Sequence, residues 1–381
     1  MKILITTDLY TTATNGVVTS VKNLVEELEK LGHEIKILTF SQKAKSYKKD
    51  NLYFIRSMSF PVYPDVRMPL SYYHKYVREL IQWKPQVIHS QCEFFSYQFA
   101  SRISKKTGAP IIHTYHTLYE QYAKYVVPSQ RLGNRIVKWF SRVRLKKSRV
   151  VIAPTRKVEA ALRGYGLKNQ IEVLPTGISL DQHKSRLSQE QRETMRQDLG
   201  IGKDQQVLIN LGRLGNEKNL QELVSFFHAA QEAHPDLRFL IVGGGPAKES
   251  LEKLSQSLNI ADKVIFAGMI DPKRVQEYYQ LGDIFVSAST SETQGLTYVE
   301  AAANGLPLLC RKDPCLDDVI QDGQNGYQYQ NQEEFLLYLD RMLADPDWQT
   351  NAGQISQSVA ETFSKEAFGN RVHELYRSIS Q

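Results

Sequence analysis

The chain alternates short apolar strands with amphipathic helices, and this alternation constrains its fold more than any other feature. Lys2–Thr6 is rich in β-forming residues, residues 17–31 place apolar side chains at helical spacing, and Ile35–Phe40 predicts the next strand. A strand, a helix and a strand in this order predict a βαβ unit and therefore a parallel sheet. Further short strands are predicted at 87–89, 111–113 and 150–153.

The same pattern restarts after a Pro- and Gly-containing segment at 174–178, which is typical of a hinge. A strand at 207–211 and a helix at 219–233 open the second series. Its remaining strands are predicted at 237–242, 264–266, 284–286 and 306–309. The sequence therefore predicts an α/β chain of two Rossmann-like domains, 1–177 and 178–381, with a last helix that can pack back on the N-terminal domain.

Charge differs between the two halves. Residues 1–180 carry 29 Lys or Arg and 12 Asp or Glu, whereas residues 181–381 carry 19 and 29. The basic half predicts an anionic partner, such as nucleic acid, phosphate or an acidic membrane surface. The chain is 41% hydrophobic, which is ordinary for a folded protein and excludes global disorder.

The sequence also limits where the protein works. No apolar run reaches the ~18 residues of a membrane-spanning helix, and Met1–Ile5 predicts a strand rather than a signal peptide. The three cysteines, Cys92, Cys310 and Cys315, have no metal-ligand spacing. We therefore expect a reducing cytoplasm, no disulfide scaffold and no zinc site.

Two Rossmann-like domains are also typical of nicotinamide-dependent dehydrogenases, but the dinucleotide fingerprint is missing. That fingerprint needs Gly-x-Gly-x-x-Gly directly after a strand. Asp8-Leu9-Tyr10 follows the first strand, and Gly243-Gly244-Gly245 has Lys248 where the last glycine would stand. A P-loop is absent as well, so both nucleotide-binding classes are disfavoured.

The loop at 212–219 follows a predicted strand and opens a helix. Ligands of open parallel sheets bind beyond the carboxyl ends of the strands. Arg213 offers a planar fork and Lys218 a point charge, and together they suit a diphosphate. Either cation taken alone is better explained as a solvated surface charge.

The loop at 291–300 follows the strand predicted at 284–286. Gly295 allows close backbone approach, and a helix that begins near Leu296 offers free amides to a phosphate. Glu292 and Glu300 flank this site, where they would repel a phosphate but can accept hydrogen bonds from sugar hydroxyls. Each glutamate alone is equally well explained as a loop acid or a capping residue.

Together the two loops resemble the retaining GT-B glycosyltransferases of the glycosyltransferase 4 type. That family carries Gly-Arg-x-x-x-x-Lys-Asn and then two glutamates separated by seven residues, and both patterns occur here in order. The resemblance covers nearly the whole chain and implies two parallel sheets that face a central cleft. It also implies that Arg213 and Lys218 hold the donor diphosphate.

The same resemblance implies roles for the residues around the donor. Glu292 would bind the transferred sugar, and Glu300 the ribose. Backbone contacts with phosphate and sugar would come from Gly295, Leu296 and Thr297. Contacts around the nucleotide base would come from Gly243, Gly244, Met269 and Ile270.

A histidine can act as a base or a hydrogen-bond donor when it follows a strand. A lone histidine is more often structural, but the resemblance places a histidine in the cleft at this point. It therefore implies a catalytic set of His116, Glu292, Arg213 and Lys218, whereas His113 lies inside a strand and is expected to be structural. The runs 113–120 and 291–298 are similar to bacterial diacylglycerol glucosyltransferases.

The loop at 8–16 ends in Gly16, which opens the first helix. Many family members have two adjacent glycines here, whereas this chain has Asn15-Gly16. Gly16 still permits close phosphate approach and is assigned to the donor site, while a role for Asn15 stays open. The alternative is an ordinary loop whose glycine only relieves backbone strain.

A metal site is not predicted. Asp345-Pro346-Asp347 matches an Asp-x-Asp metal motif, but it falls between C-terminal helices, where an Asp-Pro pair is typical of a turn. We expect no tightly bound cofactor. The resemblance implies a UDP-sugar donor as a substrate, with which free Mg²⁺ is compatible.

A basic helix is predicted in the N-terminal half. Residues 131–149 contain eight Arg or Lys and no acid, and apolar side chains share one helical face. Such a face flanked by cations can lie in a membrane interface, and the equal alternative is a helix that packs this face on its own domain. A second basic and aromatic stretch at 72–84 could join the surface. The predicted membrane-contacting residues are Arg131, Arg135, Lys138, Trp139, Phe140 and Arg142.

These features predict a peripheral enzyme on the cytoplasmic face of the cell membrane. It would move glucose from UDP-glucose to the hydroxyl of diacylglycerol, forming an α-glucosyl lipid for glycolipid or lipoteichoic acid anchor synthesis. Alternative acceptors are an already glycosylated lipid or a soluble molecule. The alternative from another class is a basic protein that binds nucleic acid or lipid without catalysis, but nothing here resembles a nucleic-acid module and no such partner is expected.

Overall fold

The computed structural model describes residues 1–10, 16–60, 63–121 and 129–379. The contacts divide the chain into two compact units. The N-terminal unit comprises Met1–Gly177 and Lys365–Gln381, and the C-terminal unit comprises Ile178–Ser364.

In the described part of the N-terminal unit, nine strands form one sheet in the order β3-β4-β2-β1-β6-β7-β8-β9, with β5 paired to β4. The central strands are parallel and fully buried, because helices cover both faces of such a sheet. The strands are β1 (Lys2–Thr6), β2 (Glu34–Ser41), β3 (Tyr47–Lys49), β4 (Leu52–Phe60), β5 (Tyr63–Pro69), β6 (Val87–Ser90), β7 (Ile111–Thr114), β8 (Val150–Ala153) and β9 (Gln170–Val173).

The C-terminal unit contains a six-stranded parallel sheet in the order β12-β11-β10-β13-β14-β15. The strand order reverses between β10 and β13. Because these neighbouring strands are parallel, the loops that follow them lie at the same edge of the sheet. These strands are β10 (Val207–Leu211), β11 (Arg238–Val242), β12 (Val264–Gly268), β13 (Ile284–Ser287), β14 (Leu308–Arg311) and β15 (Gly326–Tyr329).

The helices bury their apolar faces against the sheets. They are α1 (Gly16–Lys30), α2 (Lys75–Trp83), α3 (Ser96–Thr107), α4 (Gln130–Leu145), α5 (Arg156–Gly164), α6 (Asp181–Lys184), α7 (Gln189–Asp198), α8 (Leu220–Ala230), α9 (Lys248–Ser257), α10 (Val275–Tyr279), α11 (Leu296–Ala303), α12 (Gln332–Ala344), α13 (Pro346–Glu361) and α14 (Lys365–Ile379).

The last helix, α14, packs on α1 of the N-terminal unit. Phe368, Val372 and Tyr376 enter the apolar core beneath α1. The two helices approach closely because Gly369 has no side chain: a Cβ there would lie 2.5 Å from Cβ of Glu27. The chain therefore completes its first unit with its last helix.

The sequence prediction did not identify β3, β4 and β5 at one edge of the N-terminal sheet, β9 at its other edge, or β15 at an edge of the C-terminal sheet. β3 and β5 run antiparallel to β4. β3 is three residues long, and its two lysines are exposed. β3 is too short and polar to carry apolar periodicity, because an edge strand needs little burial. β4 is longer and buries Tyr53 and Ile55, so the sequence prediction missed a strand that does carry apolar side chains.

Candidate functional site

Two loops of the C-terminal unit meet because their strands are neighbours. Lys218 lies in a short 3-10 helix, Asn216–Lys218, in the loop after β10. Glu292 lies in the loop after β13, the strand that pairs with β10. The ammonium of Lys218 donates to Oε1 of Glu292, and Oγ of Ser289 donates to the same oxygen at 3.1 Å. The structure thus places a cation beside a carboxylate at the carboxyl end of the sheet.

A second interaction fixes the backbone next to Lys218. Asn219 has φ of 53°, a left-handed conformation that Asn tolerates better than most residues. Its Nδ2 donates to Glu222 at 2.9 Å, and the guanidinium of Arg311 donates to the same oxygen at 2.6 Å. The Oη of Tyr329 also donates to Glu222, at 3.2 Å. The turn that carries Lys218 is therefore held by a polar network from α8, β14 and β15.

Arg213 has a different partner. Its guanidinium pairs with Glu217 four residues later, and 55% of the Arg213 side chain is exposed. The structure therefore pairs the two predicted diphosphate ligands with different carboxylates, Glu217 for Arg213 and Glu292 for Lys218. The greater exposure of Arg213 leaves it more freedom to turn toward an anion.

The start of α11 is shaped for close approach. Gly295 precedes the helix with φ of 73°, and a Cβ there would lie 2.2 Å from the ring of Tyr298. Leu296 and Thr297 form the first turn, where backbone amides have no partner within the helix. These amides and the helix dipole favour an anion at this end of α11.

Glu300 lies in the next turn of α11 and is partly buried. Tyr279 donates from Oη to Oε2 of Glu300 at 3.0 Å. Burial raises the pKa of Glu300 to about 7, and the hydrogen bond from Tyr279 opposes this rise. The two glutamates therefore differ: Glu292 is paired with a cation and Glu300 with a neutral hydroxyl.

The glycines after β11 stand where a larger residue would collide with neighbouring loops. Gly243 has φ of 134°, and a Cβ there would lie 1.9 Å from the carbonyl oxygen of Gly212. A Cβ on Gly244 would lie 2.8 Å from Cγ of Met269. Met269 itself is 82% exposed, and Ile270 packs on the core. The loops after β10, β11 and β12 thus touch each other, and Met269 is available to a ligand.

The predicted histidine lies in the N-terminal unit. Nε2 of His116 is 2.8 Å from Oε1 of Gln91, a buried residue that follows β6. Burial lowers the pKa of His116 to about 4, so its imidazole is neutral at pH 7. His113 is fully buried, and its Nε2 lies 3.0 Å from Oε1 of Glu93.

The loop before α1 is partly described. Gly16 is the first residue of α1 and is exposed, whereas residues 11–15, including Asn15, lie outside the described residues. Asp8 is buried beside this loop and accepts hydrogen bonds from the amides of Phe95 and Ser96 at 3.3 and 2.7 Å. Burial raises the pKa of Asp8 to about 6.

The basic helix is α4, and part of its apolar face is exposed. Leu132, Ile136 and Trp139 are 51%, 46% and 60% exposed, and they follow each other at helical spacing. Phe140 instead packs against Phe94, with ring centroids 5.6 Å apart. About half of each side chain in the stripe formed by Leu132, Ile136 and Trp139 is therefore open to solvent.

The predicted cations border this stripe. Arg131, Arg135 and Arg142 are exposed, whereas Lys138 lies 3.6 Å from Glu120. The second basic and aromatic stretch contributes less apolar surface, because Tyr76 is buried. Tyr73 is exposed and stacks on Arg102, with the guanidinium 3.7 Å from the ring centroid.

Sequence reasoning missed the residues that hold the predicted ones. Tyr279, Glu222 and Gln91 each hydrogen-bond to a predicted residue or to the turn that carries it. None of them belongs to a motif. Glu222 lies three residues from Asn219. Tyr279 and Gln91, by contrast, lie 21 and 25 residues from their partners Glu300 and His116. Only the fold brings these pairs together.

The described residues bear on two further expectations, the absence of a metal site and the absence of a membrane-spanning helix. Within the described ranges, no group of three or more His, Cys, Asp or Glu could hold a metal ion. No helix in the same ranges is long and apolar enough to cross a membrane. Asp345 lies between α12 and α13, where its side chain caps α13 by accepting from the amide of Trp348 at 2.9 Å.

Comparison with known proteins covers both units. Residues 14–182 match the profile of Glycosyltransferase Family 4, and residues 191–359 match that of Glycosyl transferases group 1. Two curated relatives are named alpha-monoglucosyldiacylglycerol synthase. The protein from Streptococcus pneumoniae is 35% identical over 99% of this chain and 85% of its own length. That from Acholeplasma laidlawii is 31% identical over 99% of this chain and 96% of its own length.

A solved structure has the same fold. The crystal structure of Anabaena HepE in complex with UDP-glucose has a TM-score of 0.74 and 15% sequence identity, covering 99% of this chain and 100% of HepE.

Proposed function

We propose a specific reaction for this chain, which belongs to the GT-B glycosyltransferases of family 4: it transfers glucose from UDP-glucose to the hydroxyl of diacylglycerol. Membership follows from the two relatives at 35% and 31% identity over nearly the whole chain, and the enzyme class and the predicted GT-B fold are thereby confirmed. The proposed product is an α-glucosyl lipid, because the relatives are named alpha-monoglucosyldiacylglycerol synthase.

The Lys218–Glu292 pair carries the proposal for the donor. A diphosphate needs cations, and a sugar needs hydrogen-bond acceptors for its hydroxyls. Lys218 and Glu292 offer both side by side, next to the first turn of α11. HepE was solved with UDP-glucose, which supports the same donor here.

The proposed chemistry is displacement of a diphosphate with retention of configuration. Lys218, Arg213 and the amides at the start of α11 neutralise the charge that grows on the departing diphosphate. Glu292 orients the glucose through its hydroxyls, and Glu300 binds the ribose. The acceptor hydroxyl attacks the anomeric carbon on the face from which UDP leaves, and its proton passes to a diphosphate oxygen.

His116 has a role consistent with its protonation state. An imidazole that is neutral at pH 7 can donate a hydrogen bond to a sugar hydroxyl or accept one from it, and it adds no positive charge beside the anomeric carbon. We propose that His116 contacts the transferred sugar and that Gly16 allows close approach of the donor phosphate.

Membrane attachment is proposed to be peripheral, on the cytoplasmic face. The exposed apolar stripe of α4 and its neighbouring arginines suit the interface of an anionic bilayer, where diacylglycerol resides. Each cation near such a surface contributes about 1 kcal/mol.

One experiment tests this function. Purified protein is offered UDP-glucose, UDP-galactose or GDP-mannose with vesicles of diacylglycerol, vesicles of a glucosylated lipid, or a soluble glucoside. We expect one α-glucosyl product from UDP-glucose and diacylglycerol. Lys218→Ala is the control for contaminating activity. A product only with the glucosylated lipid or the soluble acceptor would replace the proposed acceptor, and RNA binding without transfer would overturn the proposal.

A further inference from the structure

Glu300 is held by one buried hydroxyl. Tyr279 ends α10 and is fully buried, and its Oη donates to Oε2 of Glu300 at 3.0 Å. The same hydroxyl lies 3.3 Å from the carbonyl oxygen of Thr297. Because a hydroxyl has one proton and a carboxylate is the stronger acceptor, the shorter contact to Glu300 is the main bond.

The core fixes the position of this hydroxyl. The ring of Tyr279 lies 6.1 Å from that of Phe285 and 6.4 Å from that of His183, measured between centroids. Among the described residues, no other side chain donates a hydrogen bond to the carboxylate of Glu300. Oε2 is therefore anchored, and Oε1 is left to accept from a ligand.

We infer that Tyr279 is a positioning residue for the nucleotide: its hydroxyl anchors Oε2 of Glu300 so that the carboxylate meets the ribose hydroxyls in a fixed orientation. This inference rests on the ribose role proposed for Glu300. It adds a source of discrimination between ribose and 2′-deoxyribose, because a fixed buried acceptor rejects a ligand that lacks its hydroxyl more strongly than a mobile one does.

The groups around Tyr279 leave its effect on the pKa of Glu300 visible in a pH titration. The hydrogen bond from Tyr279 lowers the pKa of Glu300 against the opposing effect of burial. His183 packs behind Tyr279, but burial lowers its pKa to about 4, so it is neutral near pH 7. Arg186 donates to the carbonyl oxygen of Asn304, one turn beyond Glu300, at 2.8 Å. Neither group takes over the role of the hydroxyl.

The test is calorimetric titration of the full chain with UDP and with 2′-deoxy-UDP between about pH 5.5 and pH 8.5. The variants are Tyr279→Phe, Glu300→Gln and Tyr298→Phe. Tyr298 is a matched control, since it is also fully buried, lies on α11 and bonds to neutral partners, Ser287 and Ser289. Ratios of dissociation constants to those of the parent remove the titration of the UDP phosphate, which is common to all variants.

We expect Tyr279→Phe to weaken UDP binding about tenfold near neutral pH, as for loss of a hydrogen bond to a charged group. The ratio should approach one near pH 5.5, where the carboxyl is protonated in both proteins. The preference for UDP over 2′-deoxy-UDP should fall. Tyr298→Phe should leave both the pH dependence and this preference unchanged.

The outcomes separate the inference from the proposed function. If Glu300→Gln binds UDP like the parent, the ribose role of Glu300 is wrong and the inference fails with it. Two other outcomes overturn only the inference, provided that Glu300→Gln weakens UDP binding. In the first, Tyr279→Phe binds UDP like the parent. In the second, Tyr279→Phe loses the same affinity at every pH and for both nucleotides.

A second replacement at position 279 tests the inference if the Tyr279→Phe protein fails to fold. Site-specific 3-fluorotyrosine at position 279 keeps the ring and makes the hydroxyl a stronger donor. It should shift the pH midpoint of UDP binding downward, whereas an unchanged midpoint would contradict the inference.

Discussion

Single residues at the donor site differ in how strongly they are committed to a partner. Lys218 and Glu292 are partly buried and paired with each other, so loss of either leaves an unpaired charge in a poorly solvated place. Arg213 is more exposed and pairs with Glu217 four residues later in the same loop, an arrangement that contributes little to stability. Loss of a cation is therefore expected to affect stability more at Lys218 than at Arg213.

We predict that Lys218→Ala and Arg213→Ala each reduce turnover by about 10²–10³, which corresponds to roughly 2.7–4 kcal/mol of transition-state stabilisation. The reason is loss of a cation beside the departing diphosphate. Steady-state kinetics with UDP-glucose and diacylglycerol provides the measurement, with circular dichroism to verify the fold. Lys253→Ala is the control, because this lysine pairs with Glu249 on the exposed face of α9.

We predict that Glu300→Gln mainly weakens binding of UDP, whereas Glu292→Gln mainly impairs transfer of the sugar. Glu300 lies on the second turn of α11 with a neutral partner, and Glu292 lies in the loop beside Lys218. Titration calorimetry with UDP and with UDP-glucose separates the two effects. Equal losses of UDP affinity in both variants would contradict this division.

At the scale of elements, α4 is unusual because one of its apolar stripes faces outward. A helix normally buries such a stripe against its own domain. In α4, exposed arginines border Leu132, Ile136 and Trp139, an arrangement that suits the anionic surface proposed above.

We predict that reversal of Arg135, Lys138 and Arg142 to Glu releases the protein from anionic vesicles. Binding of the parent should fall as salt rises, since charge supplies much of the attraction. Co-sedimentation with vesicles is the measurement. Activity toward vesicle-held lipid should drop, while UDP affinity should stay unchanged, because the residues proposed to bind UDP lie mainly in the C-terminal unit.

A matched control has the same change in net charge elsewhere. Lys203, Lys253 and Lys273 are exposed in the C-terminal unit, and their reversal to Glu should leave vesicle binding near that of the parent. If the α4 variant folds and sediments like the parent, α4 is structural and the membrane contact lies elsewhere.

At the scale of the whole molecule, buried histidines link stability to pH. Burial lowers the pKa of His33, His116 and His183 from 6.5 to about 4. Between these values the unfolded chain binds more protons than the folded chain, so these groups reduce the free energy of unfolding as pH falls. Asp8 and Glu300 act in the opposite direction, because burial raises their pKa to about 6 and about 7.

We predict a net loss of stability as pH falls from about 6.5 to about 4, since the imidazoles outnumber the two carboxyl groups. Urea denaturation followed across this range gives the measurement. His183→Gln should flatten the dependence, because a glutamine oxygen can still accept from Asn304, which donates to His183 at 2.8 Å. A parent protein that becomes more stable on acidification would contradict the prediction.

The sequence by itself determined the central strands of both sheets and the loops that follow them. β1 and β10 begin and end at the predicted residues, because short apolar runs between polar loops leave little freedom. It did not predict β3, β4, β5, β9 and β15, which lie at or near the sheet edges, where pairing depends on partners more than on local pattern.

Only the tertiary structure decided which side chains meet. Lys218 and Glu292 are 74 residues apart, and they pair because β10 and β13 are neighbours in the sheet. Tyr279 belongs to no motif, yet its hydroxyl reaches Glu300, because the ends of α10 and α11 both pack on Phe285 of β13. Hydrogen bonds act over a few ångströms in space, and distance along the chain does not reveal them. The sequence therefore indicates the ligand chemistry at each loop, whereas the packing of helices and strands determines which neighbouring side chains orient the loop residues.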